Sequence, residues 1–402
     1  MKRFYLHTFG CKVNQYEGEI LSQALARAGY QAVEYGQADL VVIKSCCVTS
    51  VSESKSARFA RTAASRGSEV WIVGCCTEDL TKKLEGCKVN FFSQQEALEV
   101  IGKKSSLLET FSGHTRAFVK IQDGCDNFCT YCVIPFLRPQ LSSRPHPEII
   151  REVKGLVGAG FHEVVLTGIH LGRYQPDPGG SGPLASLIRS LSEISGLYRV
   201  RLGSLHPQEV TGDIIEELCG KRLSPHLHLS VQSGSDSILR SMNRNYTSGS
   251  MKDLFALLRK RLPDIELTCD LIAGFPGESD KDFSDTAALL RDGQFAYAHI
   301  FPFSSRKGTA AAEMAETAIK SSVIRERAAF LRTIRDDLFA ARRKNWIGKT
   351  LSVLIEHNSS GFSEGFSENY LRVRVNGSHP VNSLIQAEIT GFEHPLLTGE
   401  AL

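Results

Sequence analysis

The chain has 402 residues, 47 Lys and Arg against 44 Asp and Glu, and 42% hydrophobic residues, a mix that fits two or three globular domains and excludes a fibrous or disordered chain. No apolar run approaches the roughly 20 residues that cross a bilayer. The polar Thr8-Phe9-Gly10-Cys11-Lys12 follows Lys2 and Arg3 where a signal peptide would need an apolar stretch, so a cytoplasmic chain without a membrane span is expected. Eleven cysteines, an odd number in a long chain, argue against a disulfide scaffold and for metal or redox chemistry.

In chain order, residues 3–7 read as a strand and 14–28 as an amphipathic helix stopped by Gly29. Strands follow at 39–43, 69–73 and 88–92, with a helix at 53–66. This alternation predicts a parallel sheet in an α/β domain of residues 1–110. A polar break, SSLLETFSGHTR at 105–116, marks the first boundary. Strands at 118–121, 163–167, 199–202, 226–229, 266–272 and 297–301, with helices between, predict a complete or partial barrel of parallel strands within 111–344. A long helix over 322–344 closes that unit. Beyond it, alternating runs at 350–356, 370–375 and 387–391 between Gly, Ser and Asn predict a small all-β unit over 345–402, barrel or sandwich. The repeat GFSEGFSE at 361–368 reads as a loop.

The net charge of +3 carries no global nucleic-acid signature. Residues 320–344 are locally basic: Lys320, Arg325, Arg327, Arg332, Arg335, Arg342, Arg343 and Lys344 face only Glu326, Asp336 and Asp337. Such a stripe can meet phosphates, although a charge run is usually just a solvated helix face.

Cys125, Cys129 and Cys132 have C-x3-C-x2-C spacing in DGCDNFCTYCVIPFLR, straight after a predicted strand. One such loop can wrap a cubane and give three of its irons a thiolate, leaving the fourth iron open. That iron can chelate the amino and carboxylate groups of a methionine moiety. Zinc needs four ligands, and the loop holds no fourth Cys or His. The spacing, with Tyr131 before the last cysteine, resembles the signature of the radical S-adenosylmethionine superfamily, whose members are similar to partial (β/α)6 barrels.

Cys11, Cys46 and Cys75 are distant in sequence, yet each follows a predicted strand. In a parallel sheet those strand ends share one edge, so the sulfurs can converge on a second open-sited cluster. Taken singly, each could be a small buried hydrophobe. Cys47 and Cys76 neighbour two of them, and adjacent residues on a strand point to opposite faces. Cys87, Cys219 and Cys269 read as structural.

The segments TFGCKVNQYEGE, SCCVT and GCC resemble the N-terminal domain of methylthiotransferases. Further matches are Leu166-Thr167-Gly168-Ile169, SLHP from Ser204, LSVQSGS from Leu229, Arg244-Asn245-Tyr246-Thr247, DLIAGFPGE from Asp270 and FPFSSRKGT from Phe301. Lys44-Ser45 and Cys76-Thr77-Glu78 depart from the usual Asn-Thr and Tyr-Ala-Gln. The C-terminal unit is similar to the TRAM domain, an RNA-binding module. The Lys-Val-Asn after Cys11 is most similar to the branch acting on threonylcarbamoyladenosine at tRNA position 37; the isopentenyladenosine branch tends to Gln-Met-Asn.

The resemblance implies two [4Fe-4S] clusters, one on Cys11, Cys46 and Cys75 and one on Cys125, Cys129 and Cys132. It implies S-adenosylmethionine as cofactor, with Thr167, Gly168, Ser204, Gln232 and Asp270 as its contacts and Gly274, Pro276 and Gly277 as a turn. The implied reaction is methylthio transfer to adenine C2 of tRNA by a 5′-deoxyadenosyl radical. The implied partners are tRNA, an electron donor such as flavodoxin or ferredoxin, and a sulfur source, with the chain a monomer. The competing readings are action on isopentenyladenosine or a ribosomal protein side chain, and a non-catalytic iron–sulfur RNA-binding sensor.

Overall fold

The computed structural model describes residues 2–102, 107–177 and 182–402; Ser105 and Ser106 of the polar break lie outside them. The first sheet has five parallel strands, β1 (Arg3–Thr8), β2 (Gln31–Ala32), β3 (Leu40–Ser45), β4 (Glu69–Gly74) and β5 (Val89–Phe92), in the order β2-β1-β3-β4-β5. Both faces of β3 are buried, so it reads as a continuous apolar run. Leu40 and Val42 pack with Tyr16, Leu21 and Leu25 of helix α1 (Lys12–Arg27). Val41 and Ile43 pack with Ala57, Ala60 and Ala63 of helix α2 (Ser50–Ser65) on the other face. The α1 side shares one apolar cluster with Val119, Ile121, Ile149 and Val153, so α1 lies between the first sheet and the next unit.

That unit contains β6 (Arg116–Asp123), β7 (Ser142–Ser143), β8 (Glu163–Gly168), β9 (Arg199–Leu202), β10 (Ser204–Leu205), β11 (His226–Gln232), β12 (Glu266–Ala273) and β13 (Tyr297–Pro302). They form an arc of two sheets, β7-β6-β8-β9 and β10-β11-β12-β13, parallel except for the edge strand β7. The sheets meet at Gly203, where an added Cβ would lie 3.3 Å from the Leu166 carbonyl oxygen. Alternation splits each strand between two faces. Leu227, Leu229, Val231, Leu267, Cys269 and Leu271 join the apolar cluster under the helices, while His226, His228, Thr268, Asp270 and His299 line the concave face. Cys269 is fully buried in that cluster.

The C-terminal strands β14 (Thr350–Ser359), β15 (Phe362–Ser367), β16 (Arg372–Asn376), β17 (Leu384–Glu393) and β18 (Leu396–Ala401) close into a small barrel. The repeat at 361–368 is therefore mostly strand and not loop. Its inward residues are small, Ser363, Gly365 and Ser367, and a Cβ at Gly365 would lie 1.9 Å from the Leu354 oxygen. An apolar-inside pattern could not reveal a strand whose inside is Ser and Gly.

This small barrel docks on the N-terminal ends of the large barrel's strands. Arg201 donates to the carbonyl oxygens of Glu368 (2.8 Å) and Ser367 (2.7 Å), and Arg199 to that of Phe366 (3.0 Å). Fully buried Glu163 accepts from both arginines. Tyr370 packs on His226, ring centres 4.8 Å apart. The concave face is thus closed at its bottom.

Most of the basic stripe at 320–344 is engaged by the protein itself. On the long helix Ser321–Lys344, Arg327 pairs with Glu278 and Asp280, both at 2.7 Å, and Arg342 pairs with Glu266 at 3.0 Å. Arg332 and Arg343 donate to carbonyls of Ile300 and Ala296, and Arg335 pairs with Asp336 beside the Tyr297 ring. The helix packs against β13 and its neighbours, so these five cations are spent on the protein, while Lys320, Arg325 and Lys344 stay exposed.

Candidate active site with two cysteine triads

β1, β3 and β4 lie in register, Thr8 opposite Lys44 and Ser45 opposite Gly74, so their C-terminal ends are level. Cys11, Cys46 and Cys75 follow those ends. Gly10 has φ +96°, and a Cβ there would lie 2.7 Å from the Cys46 sulfur, so only glycine lets the two loops approach. The Asn14 amide donates to the Phe9 oxygen (2.9 Å) and the Ser45 oxygen (2.7 Å), tying the first loop to the second. The Ser45 hydroxyl donates to the Cys75 oxygen (2.6 Å), tying the second to the third. The three sulfurs lie close enough to feel one another's charge. Cys47 instead bonds the Cys75 oxygen at 3.0 Å and sits in the apolar cluster with Ile43 and Leu80. Cys76 contacts the Thr81 hydroxyl at 3.7 Å.

Lys44 is wholly buried, and its ammonium donates to Glu17 (2.9 Å) and Gln94 (2.8 Å), which explains how the departure at this position is tolerated. Thr77, the other departure, caps the helix Glu78–Lys83 and donates to Glu53 at 2.9 Å.

The second triad sits in the loop after β6. Gly124 has φ +78°, and a Cβ would fall 2.0 Å from the Gln140 oxygen, so the chain turns sharply into Cys125. The Cys125 amide donates to the Arg138 oxygen (3.1 Å), Cys132 to the Cys129 oxygen (2.9 Å) and Thr130 to the Met242 oxygen (3.3 Å). The Asn127 amide donates to the Cys129 sulfur at 3.2 Å, and His170 Nδ1 lies 3.5 Å from the Cys125 sulfur. Burial pushes the Cys132 thiol up to about 12, with the Ile134 amide opposing. Loading a metal must therefore displace protons.

The residues present fit iron–sulfur clusters. Four thiolates on one zinc would stand about 3.8 Å apart, given Zn–S near 2.3 Å and tetrahedral angles. Among the described residues, the groups whose ligand atoms all lie within 4.8 Å of one another are His170–His206–Glu209 and His228–Asp270–His299; neither cysteine triad is one of them. Each triad offers three thiols on pinned loops, one short of the four ligands of a closed zinc site.

A charged network joins the two triads. Glu17 of α1, nearly fully buried, accepts from Lys44 and from Lys120 (2.8 Å) and takes a two-pronged bond from Arg138, both prongs 2.9 Å. Asp123 binds Lys120 (2.9 Å) and Arg138 (2.9 Å). Burial would raise the Glu17 carboxyl, but Lys44, Lys120 and Arg138 hold it well below the usual carboxylate range. Three cations against two carboxylates leave one positive charge over, and Arg138 feels Cys11 and Cys75. A surplus cation there offsets anionic thiolates. The same Arg138 holds Cys125 through its backbone oxygen.

The expected cofactor contacts lie at several depths. Thr167 and Gly168 end β8; Gly168 packs on Gln122, where an added Cβ would meet the side-chain oxygen at 2.9 Å. Ser204 shares a 2.7 Å hydroxyl contact with Ser230. Gln232 ends β11 in the left-handed region at φ +67°. Asp270 lies inside β12, not at its end, 3.1 Å from His228 Nε2. Gly274 and Gly277 both have positive φ, and Glu278 accepts from the Gly274 amide at 2.9 Å, so this segment is a turn.

Sequence reasoning missed the polar chain beside the second triad. Arg244 donates to the Tyr131 hydroxyl (2.5 Å) and to His206 Nε2 (2.8 Å). The His206 amide donates to Glu209 (2.9 Å), which also binds His170. Burial and then Arg244 lower His206 to about 3; burial lowers His170 too, but its bonds to Cys125 and Glu209 prevail and raise it to about 9. Tyr131, His206 and Arg244 all fell in matched motifs, but nothing in their spacing joined them.

Residues 119–290 match the Radical SAM superfamily, and residues 3–93 match a family described as Uncharacterized protein family UPF0004. The chain is 35% identical to a protein of Chlamydia pneumoniae named Threonylcarbamoyladenosine tRNA methylthiotransferase MtaB, over 99% of this chain and 97% of that one. It is 32% identical to a Pelotomaculum thermopropionicum protein named tRNA-2-methylthio-N(6)-dimethylallyladenosine synthase, over 99% and 97%. The fold resembles the radical S-adenosylmethionine methyltransferase TsrM of Kitasatospora setae, with TM-score 0.55, 12% identity and coverage of 79% of this chain and 76% of that one. With both cysteine triads in place and a full-length relative at this identity, the chain belongs to the radical S-adenosylmethionine methylthiotransferase family.

Proposed function

We propose that this protein methylthiolates tRNA at adenine C2 of N6-threonylcarbamoyladenosine, position 37. The observation that carries the reading is the pair of three-cysteine sets joined through Glu17 and Arg138. When bound, the clusters and S-adenosylmethionine would supply reductive sulfonium cleavage and the sulfur to be transferred. An adenine C2–H has no useful acid–base route at neutral pH, so radical chemistry suits it. The chain's own part is to hold the two centres at fixed separation and to close the concave face from water at its bottom. On this reading Cys11, Cys46 and Cys75 hold one cluster and Cys125, Cys129 and Cys132 the other. Thr167, Gly168, Ser204 and Gln232 line the cofactor at the rim, with Asp270 deeper. The units are 1–110, 111–344 and 345–402, the last a TRAM-like module.

Two surface features support an RNA partner. Lys55, Arg58 and Arg61 of α2 make no ion pair among the described residues. Lys55 and Arg58 border a groove of about 370 Å³ lined by the rings of His7, Phe9, Tyr35 and Phe59. Free cations beside stackable rings suit a single-stranded nucleic acid. The reading also requires a low-potential electron donor, of flavodoxin or ferredoxin type, and a sulfur source, and takes the chain as a monomer. The test is nucleoside mass spectrometry of tRNA from a strain lacking this gene and any second copy. The methylthio form of threonylcarbamoyladenosine should vanish while the unmodified precursor accumulates; its persistence would reject the substrate.

A further inference from the structure

Two groups of ligand-bearing side chains lie outside the cysteine triads, and they differ in what already holds them. In His170–His206–Glu209, Arg244 donates to His206 Nε2 at 2.8 Å, and Glu209 accepts from the His206 amide at 2.9 Å and also binds His170. A guanidinium occupies the nitrogen an ion would need, so that group is closed to a cation. Among the described residues, no Lys or Arg bonds to His228, Asp270 or His299.

These three sit on neighbouring parallel strands, His228 on β11, Asp270 on β12 and His299 on β13. Asp270 lies opposite His299, and His228 lies opposite Thr268, two residues before Asp270. Strand alternation therefore turns all three to the concave face. Their ligand atoms lie within 4.8 Å of one another, and His228 Nε2 stands 3.1 Å from Asp270 Oδ2. Atoms bound about 2.1 Å from one ion at right angles stand about 3.0 Å apart, so this pair is already at the separation of neighbouring ligands. His228 and Asp270 are half-buried and His299 is exposed, which leaves the ion an approach from solvent.

The partners behind the group are in place as well. His228 Nδ1 lies 2.8 Å from the Thr268 hydroxyl, and that hydroxyl lies 3.1 Å from Nε2 of buried His226. With His228 Nε2 on an ion, the Nδ1 proton goes to the Thr268 oxygen and the Thr268 proton goes to His226. A ligating imidazole is commonly fixed in this way through its other nitrogen. We propose that His228, Asp270 and His299 form a divalent metal site on the concave face of the large barrel. Two imidazoles and one carboxylate suit a first-row transition ion and leave open positions toward the barrel interior. A dication on one carboxylate keeps a net positive charge, so those positions take water or an anionic oxygen of a bound substrate. Asp270 can ligate through Oδ2 and still meet the cofactor through its other oxygen. The site uses none of the cluster cysteines and does not depend on which nucleoside is the substrate.

The test is a Mn²⁺ titration of the full chain with both clusters reconstituted and oxidised, a state in which a [4Fe-4S] cluster is silent to electron paramagnetic resonance and the Mn²⁺ signal is read alone. One Mn²⁺ per chain should bind, and its electron spin echo modulation should show two imidazole nitrogens. His299→Ala, at an exposed position, should weaken binding and leave one nitrogen. Asp270→Asn and His228→Gln should release the ion at the same concentration. Thr268→Val removes no ligand and should weaken binding by roughly ten-fold. Iron content and the unfolding midpoint show that each variant is folded and loaded. A wild type that binds no stoichiometric Mn²⁺, an ion without nitrogen modulation, or binding undisturbed by His299→Ala and Asp270→Asn overturns the site.

Discussion

The two cysteine triads reach similar chemistry by opposite routes. Cys125, Cys129 and Cys132 are neighbours in sequence, and one loop pinned by Arg138 and Met242 brings them together. Cys11, Cys46 and Cys75 span most of the first sheet and meet only because β1, β3 and β4 are parallel and in register. A local triad depends on a turn; a dispersed one depends on a whole sheet. The first can be read as a motif, while the second can be read only by asking where each strand ends.

That contrast gives the largest expected effects. Cys129→Ala should abolish reductive cleavage of S-adenosylmethionine altogether. Cys75→Ala should spare cleavage, abolish methylthio transfer, and lower iron from about eight to about four per chain. Equal loss of cleavage in both variants would break the division of labour between the triads.

Glu17 tests whether the triads are mechanically joined. Glu17→Gln leaves Lys44, Lys120 and Arg138 short of a buried counter-charge, so stability should fall by about 3–5 kcal/mol in denaturant unfolding. A fall below about 1 kcal/mol would mean that the network is incidental. Gly10→Ala should cost about 1–3 kcal/mol, because the left-handed backbone and the Cys46 sulfur both resist a side chain. It should also empty the first cluster site while leaving absorbance from the second; loss of both would show that the sheet edge is not an independent unit.

Two helices sharpen the same lesson at smaller scale. Reversing Lys55, Arg58 and Arg61 to Glu should weaken stem-loop RNA binding and flatten its log-salt slope by about 2. Reversing Arg325 and Lys344, exposed ends of the long helix, should change stability by no more than about 0.5 kcal/mol. If the long helix proves the stronger RNA contact, the reading of α2 is wrong.

Most strand positions of the two α/β units and the parallel α/β class were legible from periodicity, and the six cysteines of the proposed clusters stood out by spacing and resemblance. Charge was not. The eight cations at 320–344 looked like a free surface because a linear run says nothing of what packs against it. Lys44, by contrast, looked like a mere departure and turned out to be a buried charge held by Glu17. The strand Phe362–Ser367 was missed because its inward residues are small and polar.

Which cysteines could act together was written in the sequence, since strand ends in a parallel sheet share an edge. What only the tertiary structure decided is which charges stay free. A salt bridge links residues far apart along the chain, so whether Arg327, Lys44 or Lys12 has a partner depends on what the fold places beside it. On that reckoning Arg327 and Lys44 are paired and Lys12, among the described residues, is not.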